Sequence, residues 1–321
     1  MFLKKRTEAE LSMLLVAIVW GSTFVIVKNS LLEIGPFLFL GMRFALAFVL
    51  LGLVSWRQLK IAPKSTYYSG CLLGIFLTIG YVFQTVGLKY TTSSNAGFIT
   101  GLSVVLVPII YMLINKLTPS FSTIITVLLA FVGLFFMSFQ DWQTSLSYGD
   151  MLVLVCAFGF AFHVVFVDRL SHRHSALAIT SVQILFVGIF CLVVGLIFEP
   201  WPQRFSPALI AALLITSIFA TSLAFLLQNS MQKYSTPTRF AVILTTEPVF
   251  AALAGHFWAG ETFTQRALVG AVEALADLGL VAPAHDGAQL ARALVDDHSR
   301  RLRLQKTLAV GGGTSLKAGI I

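Results

Sequence analysis

Nine long apolar segments occupy most of this chain, and the pattern of the first five resembles that of the next four. Each segment is about long enough to cross a bilayer as a helix, which takes roughly 20 residues. Only 11% of the residues are charged and 57% are hydrophobic, whereas soluble domains contain about 25% charged residues. Because lipid offers the backbone no hydrogen-bond partners, the segments are predicted to be membrane-spanning helices.

Short loops that carry most of the charge separate the predicted spans. The predicted bounds are 11–32, 36–55, 69–88, 95–114, 121–140, 149–168, 176–198, 206–228 and 238–259. With a cytoplasmic N-terminus, ten Lys and Arg residues lie on the inner side and only Lys89 and Arg204 lie in the outer loops. This bias predicts a multi-pass protein of the cell membrane, or of the inner membrane if the source is bacterial. Basic residues scattered in short loops also argue against nucleic-acid binding, which needs an extended basic surface.

Three pairs of sequence features indicate an internal duplication. In chain order they are Trp20-Gly21 with Phe158-Gly159, Gln84 with Gln228, and Pro108 with Pro248. A repeat with an odd number of crossings places its second copy upside down. Inverted repeats of this kind are typical of secondary transporters, in which the substrate site lies between the copies.

Glu247 is the strongest candidate for a functional residue. It lies about 15 Å into the ninth predicted span at the helical rise per residue, where a charged carboxylate must be paired, hydrated or protonated. Pro248 has no N–H, so the carbonyl of Leu244 is expected to lose its helical partner. Together these groups could bind a proton, a cation or an amine. The alternative is a structural carboxylate paired to an Arg or a hydroxyl of a neighbouring helix.

Other polar and aromatic residues inside the spans are candidates for the same site. Arg43 could pair an anionic substrate group or bind backbone carbonyls, and Gln84, Gln228 and Asn95 could supply hydrogen bonds. Trp20 is a candidate aromatic wall. The prolines of the fourth and ninth spans, Pro108 and Pro248, are predicted to break or loosen their helices.

The sequence offers no motif for a metal or a cofactor. The three cysteines lie singly in apolar segments, and His172-x-His174 lacks further ligands nearby. Gly311-Gly312-Gly313 is not followed by the Lys of a phosphate-binding loop. Neither a metal nor a cofactor is therefore expected, and ATP-driven transport is not supported.

Several short strings, in order and at the right spacing, resemble the EamA-type drug/metabolite transporters over about residues 10–271. They are Trp20-Gly21-Ser22-Thr23-Phe24, Arg43-Phe44, Asn95 through Leu102, and Glu247-Pro248-Val249-Phe250. The resemblance implies an all-α bundle of ten helices in two inverted five-helix repeats, with both termini cytoplasmic. It also implies a central cavity lined mainly by helices one, three, four, six, eight and nine. Members of this family transport amino acids, related metabolites and amphipathic compounds.

The end of the chain departs from the family pattern. The expected domains are a first repeat over 10–140, a second over 149–283, and an atypical polar tail over 284–321. Nine helices are clear, whereas the tenth is degenerate, since Glu273 and Asp277 interrupt it and Pro283 ends it. Residues beyond about 272 resemble another sequence, as a frameshift or fusion would produce; a degenerate helix with a cytosolic tail is the alternative.

The sequence therefore predicts a secondary transporter, an exporter of amino acids or small amphipathic metabolites that is proton-coupled through Glu247. Its expected partners are the lipid bilayer and a small-molecule substrate, and the sequence leaves a homodimer open. Two rival functions are a non-catalytic membrane subunit or sensor, and a lipid-modifying membrane enzyme. The enzyme would need clustered acids or histidines, for which Asp141 and Asp150 are the only candidates.

Overall fold

The protein is all-helical in a computed structural model that describes residues 2–116 and 147–260. The helices are α1 (Phe2–Ser30), α2 (Pro36–Ile61), α3 (Lys64–Leu88), α4 (Ser93–Gly101), α5 (Ser103–Asn115), α6 (Tyr148–Ser171), α7 (Ala176–Phe198), α8 (Pro207–Ile215), α9 (Ala224–Met231), α10 (Pro237–Leu244) and α11 (Glu247–Ala259). A π-helical segment, Thr216–Leu223, joins α8 to α9, and a 3₁₀ turn, Gln232–Tyr234, follows α9.

Eight stretches of the described residues are long and apolar enough to cross a membrane. They are Lys5–Ser30, Pro36–Ile61, Lys64–Leu88, Asn95–Asn115, Tyr148–Ser171, Ala176–Phe198, Pro207–Tyr234 and Pro237–Trp258. These stretches correspond to predicted spans one to four and six to nine, so the predicted all-helical multi-pass architecture is confirmed for this part of the chain. The fifth predicted span, the degenerate tenth helix and the polar tail lie outside the described residues.

The spans of the first half pack mainly against spans of the second half. Helix α2 lies along α7, α3 lies along α6 and α7, and α1 lies along α11. The contacts of the two halves are equivalent. Helix α1, the first of its half, contacts the eighth and ninth spans, and α6, the first of the second half, contacts the third and fourth spans. The two halves are therefore interlocked, and the space at their centre is bounded by both.

Glycines set the closest approach between α3 and α7. A Cβ added at Gly70 would lie 2.6 Å from Cβ of Val182, and one added at Gly74 would lie 2.8 Å from Cβ of Phe186. These distances are shorter than van der Waals contact, so only glycine lets the helices come this close. Gly70 and Gly74 form a small-x-x-x-small pattern, which is typical of close contacts between membrane helices.

Carboxylates from neighbouring elements cap two of the spans. Glu199, just after α7, accepts hydrogen bonds from the N–H groups of Phe37 (3.1 Å) and Leu38 (2.8 Å) at the start of α2. Asp150 closes a capping box with Ser147 at the start of α6 and accepts a hydrogen bond from the Thr91 hydroxyl. Negative charge at a helix N-terminus is favourable. Asp150, a candidate for the rival enzyme, therefore serves as a helix cap.

Besides the eighth span with its π-helical segment, two spans depart from regular α-helix near the centre of the bundle. The fourth span breaks at Leu102, between α4 and α5, and Pro108 lies inside the continuous helix α5. The fourth span is thus broken ahead of Pro108 rather than at it. The ninth span breaks at Thr245–Thr246, and Pro248 is the second residue of α11, where its missing N–H costs no hydrogen bond.

Candidate functional site

A cavity lies between the two halves, bounded by the first, second, third, fourth, sixth, eighth and ninth spans. Its polar and aromatic lining residues are Trp20, Thr23, Phe24, Arg43, Tyr81, Gln84, Thr85, Thr100, Ser103, Phe160, His163, Phe225, Gln228 and Glu247. The space that water molecules can occupy inside it measures about 50 Å³, which is room for a few of them. A metabolite would therefore require the halves to move apart.

Glu247 lines this cavity at the helix break of the ninth span. Before it, the N–H groups of Thr245 and Thr246 bond to carbonyls three residues back, at 3.1 Å each. The two threonine hydroxyls donate to the same carbonyls, at 2.6 and 2.7 Å. This tightened turn ends α10 and starts α11 with Glu247 as its first residue.

Glu247 is 9% exposed as a whole residue, and its side chain has no hydrogen bond or ion pair with any residue in the described ranges. The described residues therefore do not form the structural alternative, in which an Arg or a hydroxyl of a neighbouring helix pairs with this carboxylate. A buried carboxylate without a partner carries a large desolvation cost if it is charged. It is thus suited to bind a proton or a cationic group.

Arg43 reaches the same cavity from α2 and is 3% exposed. Its Nε donates to Thr221 Oγ1 (2.7 Å), and its Nη2 donates to the Ala220 carbonyl (3.3 Å) and to Tyr81 Oη (3.4 Å). The guanidinium also lies 4.8 Å from the centre of the Tyr81 ring, a cation–π distance. Three oxygen acceptors and an aromatic face hold this cation in place.

The π-helical segment of the eighth span explains how a backbone carbonyl can serve two side chains. The hydroxyls of Thr221 and Ser222 donate to carbonyls five residues earlier, at 2.9 and 2.8 Å. Within this widened turn the Ala220 carbonyl accepts from Arg43 and also from Trp20 Nε1, at 2.8 Å. Such π-helical turns are frequent at functional sites.

The two symmetry-matched glutamines both line the cavity, but their surroundings differ. Gln84 donates through Nε2 to Thr100 Oγ1 at 3.1 Å. Gln228 is 1% exposed, and its Oε1 has no hydrogen-bond partner. Because a buried unsatisfied acceptor is costly, Gln228 presents an oxygen that a donor in the cavity could satisfy.

Asn95 is the predicted site residue that the structure places away from the cavity. It lies in the first turn of α4, and its backbone N–H donates to Thr92 Oγ1 at 3.1 Å. Its side chain is half-buried and does not line the cavity. Neither Pro108 nor Pro248 lines it, so any part they have in the site is through backbone geometry.

Several residues in or beside the cavity were not among the predicted site residues. Thr221 and the Ala220 carbonyl anchor Arg43, Thr100 binds Gln84, and His163 bonds through Nε2 to Gln183 Oε1 at 3.0 Å. Hydroxyl residues are too common in these spans to stand out. Among the residues described, no group of three His, Cys, Asp or Glu side chains is arranged to hold a metal ion.

Comparisons with known proteins agree with the architecture. The model of the EamA-like transporter family matches residues 7–139 and 147–281. An uncharacterized transporter of Archaeoglobus fulgidus is 38% identical over 251 residues, which cover 78% of this chain and 77% of that protein. The uncharacterized transporter YetK of Bacillus subtilis is 30% identical over 241 residues, covering 71% and 72%.

A protein of known crystal structure shares the fold. It matches with a TM-score of 0.70 at 16% identity, over 90% of this chain and 99% of that one. At that identity the likeness concerns the fold alone. The family match covers most of the chain in two copies, and the chain is therefore a member of the EamA-like transporter family, a multi-pass membrane transporter rather than an enzyme.

Proposed function

We propose that this transporter exports amino acids or closely related amphipathic metabolites, and that its two repeats rock around the central cavity. The repeats are assigned to 10–140 and 149–283, in inverted orientation, with residues 284–321 as a tail and the N-terminus in the cytoplasm. The interlocked packing of the halves supports this arrangement, since a site between two inverted copies can open alternately to either side.

The observation that carries the proposal is that Glu247 and Arg43 line one cavity without pairing to each other. Arg43 uses Nε and Nη2 for contacts within the protein, and its Nη1 has no hydrogen-bond partner among the described residues. A zwitterionic solute has a group that can bind each of these side chains. Its ammonium would bind the Glu247 carboxylate, and its carboxylate would accept a hydrogen bond from Nη1 of Arg43. Charge-assisted hydrogen bonds of both kinds are about twice as strong as neutral ones.

The rest of the lining suits the body of such a solute. Trp20, Tyr81, Phe160 and Phe225 supply aromatic walls, and their rings pack together at centroid distances of 5.2–6.0 Å. The unpartnered Oε1 of Gln228 offers a second acceptor for an ammonium group. A solute with an amine, a carboxylate and an apolar side chain satisfies all of these groups at once.

Glu247 is also the proposed coupling residue. Because no cation among the described residues pairs with Glu247, its carboxylate is neutralised by a proton or by the substrate's amine. Competition between the two would couple outward movement of substrate to inward movement of protons. Arg43 stays charged throughout, because guanidinium groups do not lose their proton in proteins.

The test compares metabolites in the medium of cells that make the wild-type protein, its Glu247→Gln variant or neither. Glu33→Gln is the matched control, since Glu33 lies outside the cavity and its carboxylate accepts a hydrogen bond from the Ser206 hydroxyl at the surface. We expect a zwitterionic solute to rise in the medium with wild type and control but not with Glu247→Gln. Accumulation inside the cells instead would reverse the assigned direction, and a strong anion as the exported solute would refute the role of Glu247.

Proton coupling is tested separately in proteoliposomes that contain the solute found. Wild-type flux should rise with an imposed pH gradient, and Glu247→Gln flux should not respond to it. If the variant transports at the wild-type rate with and without the gradient, Glu247 is not the coupling residue.

A further inference from the structure

A second concavity lies on the outside of the bundle, between α2, α3 and α7. We call it the outer groove; it is formed by Phe48, Gly52, Trp56 and Lys60 of α2, Cys71 of α3 and Phe186 of α7, with their neighbours. Its volume is about 900 Å³, as large as many small-molecule sites. The three atoms nearest to a Cβ added at Gly52 all belong to the Phe48 ring, at 3.4 Å or more. The floor of the groove is therefore open at Gly52.

The walls of the outer groove are apolar and face away from the protein. Leu53 is 77% exposed and Trp56 60% exposed. These side chains belong to stretches long and apolar enough to span the membrane, so their surroundings are lipid rather than water. An elongated apolar groove on such a surface fits an acyl chain.

One end of the outer groove is basic. Arg57 and Lys60 near the end of α2, and Lys64 at the start of α3, are all exposed. Lys60 Nζ lies 4.6 Å from the centre of the Trp56 ring, which holds the ammonium at the mouth of the groove. The chain has no Asp or Glu between Glu33 and Asp141, and none of the three cations forms an ion pair with a described residue.

We propose that the outer groove binds an anionic phospholipid. Its acyl chain lies along Phe48, Gly52 and Phe186, and its phosphate meets Lys60, flanked by Arg57 and Lys64. Basic pockets between membrane helices bind anionic headgroups in this way, and each basic residue contributes about fivefold in affinity at low salt. In the topology proposed above, this end of the groove faces the cytoplasm.

A second copy of the chain is the other occupant that could cover the groove. A twofold contact there would bring each copy's basic cluster close to its own counterpart, because such interfaces use the same patch on both subunits. Repulsion between the clusters disfavours this contact, whereas an anionic lipid neutralises the charge.

The test measures quenching of Trp56 fluorescence by brominated lipid in nanodiscs. The full chain is placed in phosphatidylcholine that contains equal mole fractions of either dibrominated phosphatidylglycerol or dibrominated phosphatidylcholine. A Trp56→Phe variant gives the signal of the other four tryptophans, which is subtracted. We expect the brominated anionic lipid to quench Trp56 at a several-fold lower mole fraction than the neutral one.

Lys60→Gln should reduce this preference about fivefold at low salt, and Gly52→Leu should reduce quenching of Trp56 by both lipids because it fills the groove. Lys89→Gln, at the opposite end of α3, is the control and should change neither. Equal quenching by the two lipids in the wild type would overturn the proposal. The proposal would also be overturned if neither lipid quenched Trp56 and Cys71 formed a disulfide crosslink between two copies of the chain. That result would assign the groove to a dimer.

Discussion

Replacing Gly21 by Ala should push α1 away from the helix that carries Glu247. An added Cβ at Gly21 would clash with the Glu247 carbonyl oxygen and would lie 2.8 Å from Phe250 Cβ and 2.9 Å from Ala251 N. Two of these three atoms are backbone, so the clash cannot be relieved by a change of side-chain rotamer. The helices must separate by about 1 Å to restore ordinary contact distances.

The magnitude follows from two opposing terms. Overpacking of this kind costs about 1–3 kcal/mol, whereas Gly→Ala in a helix gains about 0.5–1 kcal/mol. Gly52→Ala is the matched control, since the atoms nearest to its Cβ would be those of the Phe48 ring, at an ordinary contact distance of 3.4 Å or more, and it should show the gain alone. The free energy of unfolding should therefore differ by about 1–3 kcal/mol between the two variants, with Gly21→Ala the less stable.

Thermal melting of the purified protein in detergent measures this difference without knowledge of the substrate. A difference of about 1–3 kcal/mol corresponds to several degrees in Tm for a chain of this size. Transport by Gly21→Ala should fall further than its stability does, by up to about a hundredfold, because the displacement moves Glu247 itself. Equal melting temperatures for Gly21→Ala and Gly52→Ala would refute the close packing of α1 on α11.

Two further predictions concern the polar contacts of the bundle. Thr221→Val leaves Nε of buried Arg43 without its acceptor, so the free energy of unfolding should fall by about 1–3 kcal/mol; an unchanged melting curve would contradict this anchoring. Glu10 accepts a hydrogen bond from Arg6 and forms an ion pair with the buried Arg239, at N–O distances of 3.1 Å each. Glu10→Gln should therefore weaken the contact between α1 and α10 and lower the melting temperature. Glu8→Gln, on the exposed side of the same helix, is its control, and equal effects of the two variants would show that the ion pair contributes nothing.

The architecture could be predicted largely from the sequence because the membrane leaves few alternatives. An apolar run of about 20 residues has one backbone conformation that satisfies its own hydrogen bonds. The deviations from that conformation were harder to place. Pro108 indicated a break in the fourth span, but the break lies at Leu102. The π-helical segment from Thr216 contains no proline, and hydrogen bonds between hydroxyls and the backbone leave no distinctive sequence pattern.

The candidate site could be predicted where burial makes a residue costly. Glu247 and Arg43 stand out because a charge inside an apolar span needs a special environment, and both line the cavity. Asn95 was a weaker candidate, because an amide at a helix start is as readily explained by its local backbone contacts. Thr221 could not be distinguished in sequence from the other hydroxyl residues of its span, although it binds Arg43 directly.

The two halves contribute unequal chemistry to a nearly symmetric frame. The helix break at Leu102 in the first half is apolar, whereas the break at Thr245–Thr246 in the second half places a carboxylate in the cavity. The cation of the cavity, Arg43, comes instead from the first half, and Thr221 of the second half accepts a hydrogen bond from it. One repeat alone therefore holds one charge of the proposed zwitterion site, and Arg43 would lose two of its three oxygen acceptors, Thr221 Oγ1 and the Ala220 carbonyl. Packing between the halves brings the two charges together, so any movement of one half against the other changes the distance between the groups proposed to hold the substrate.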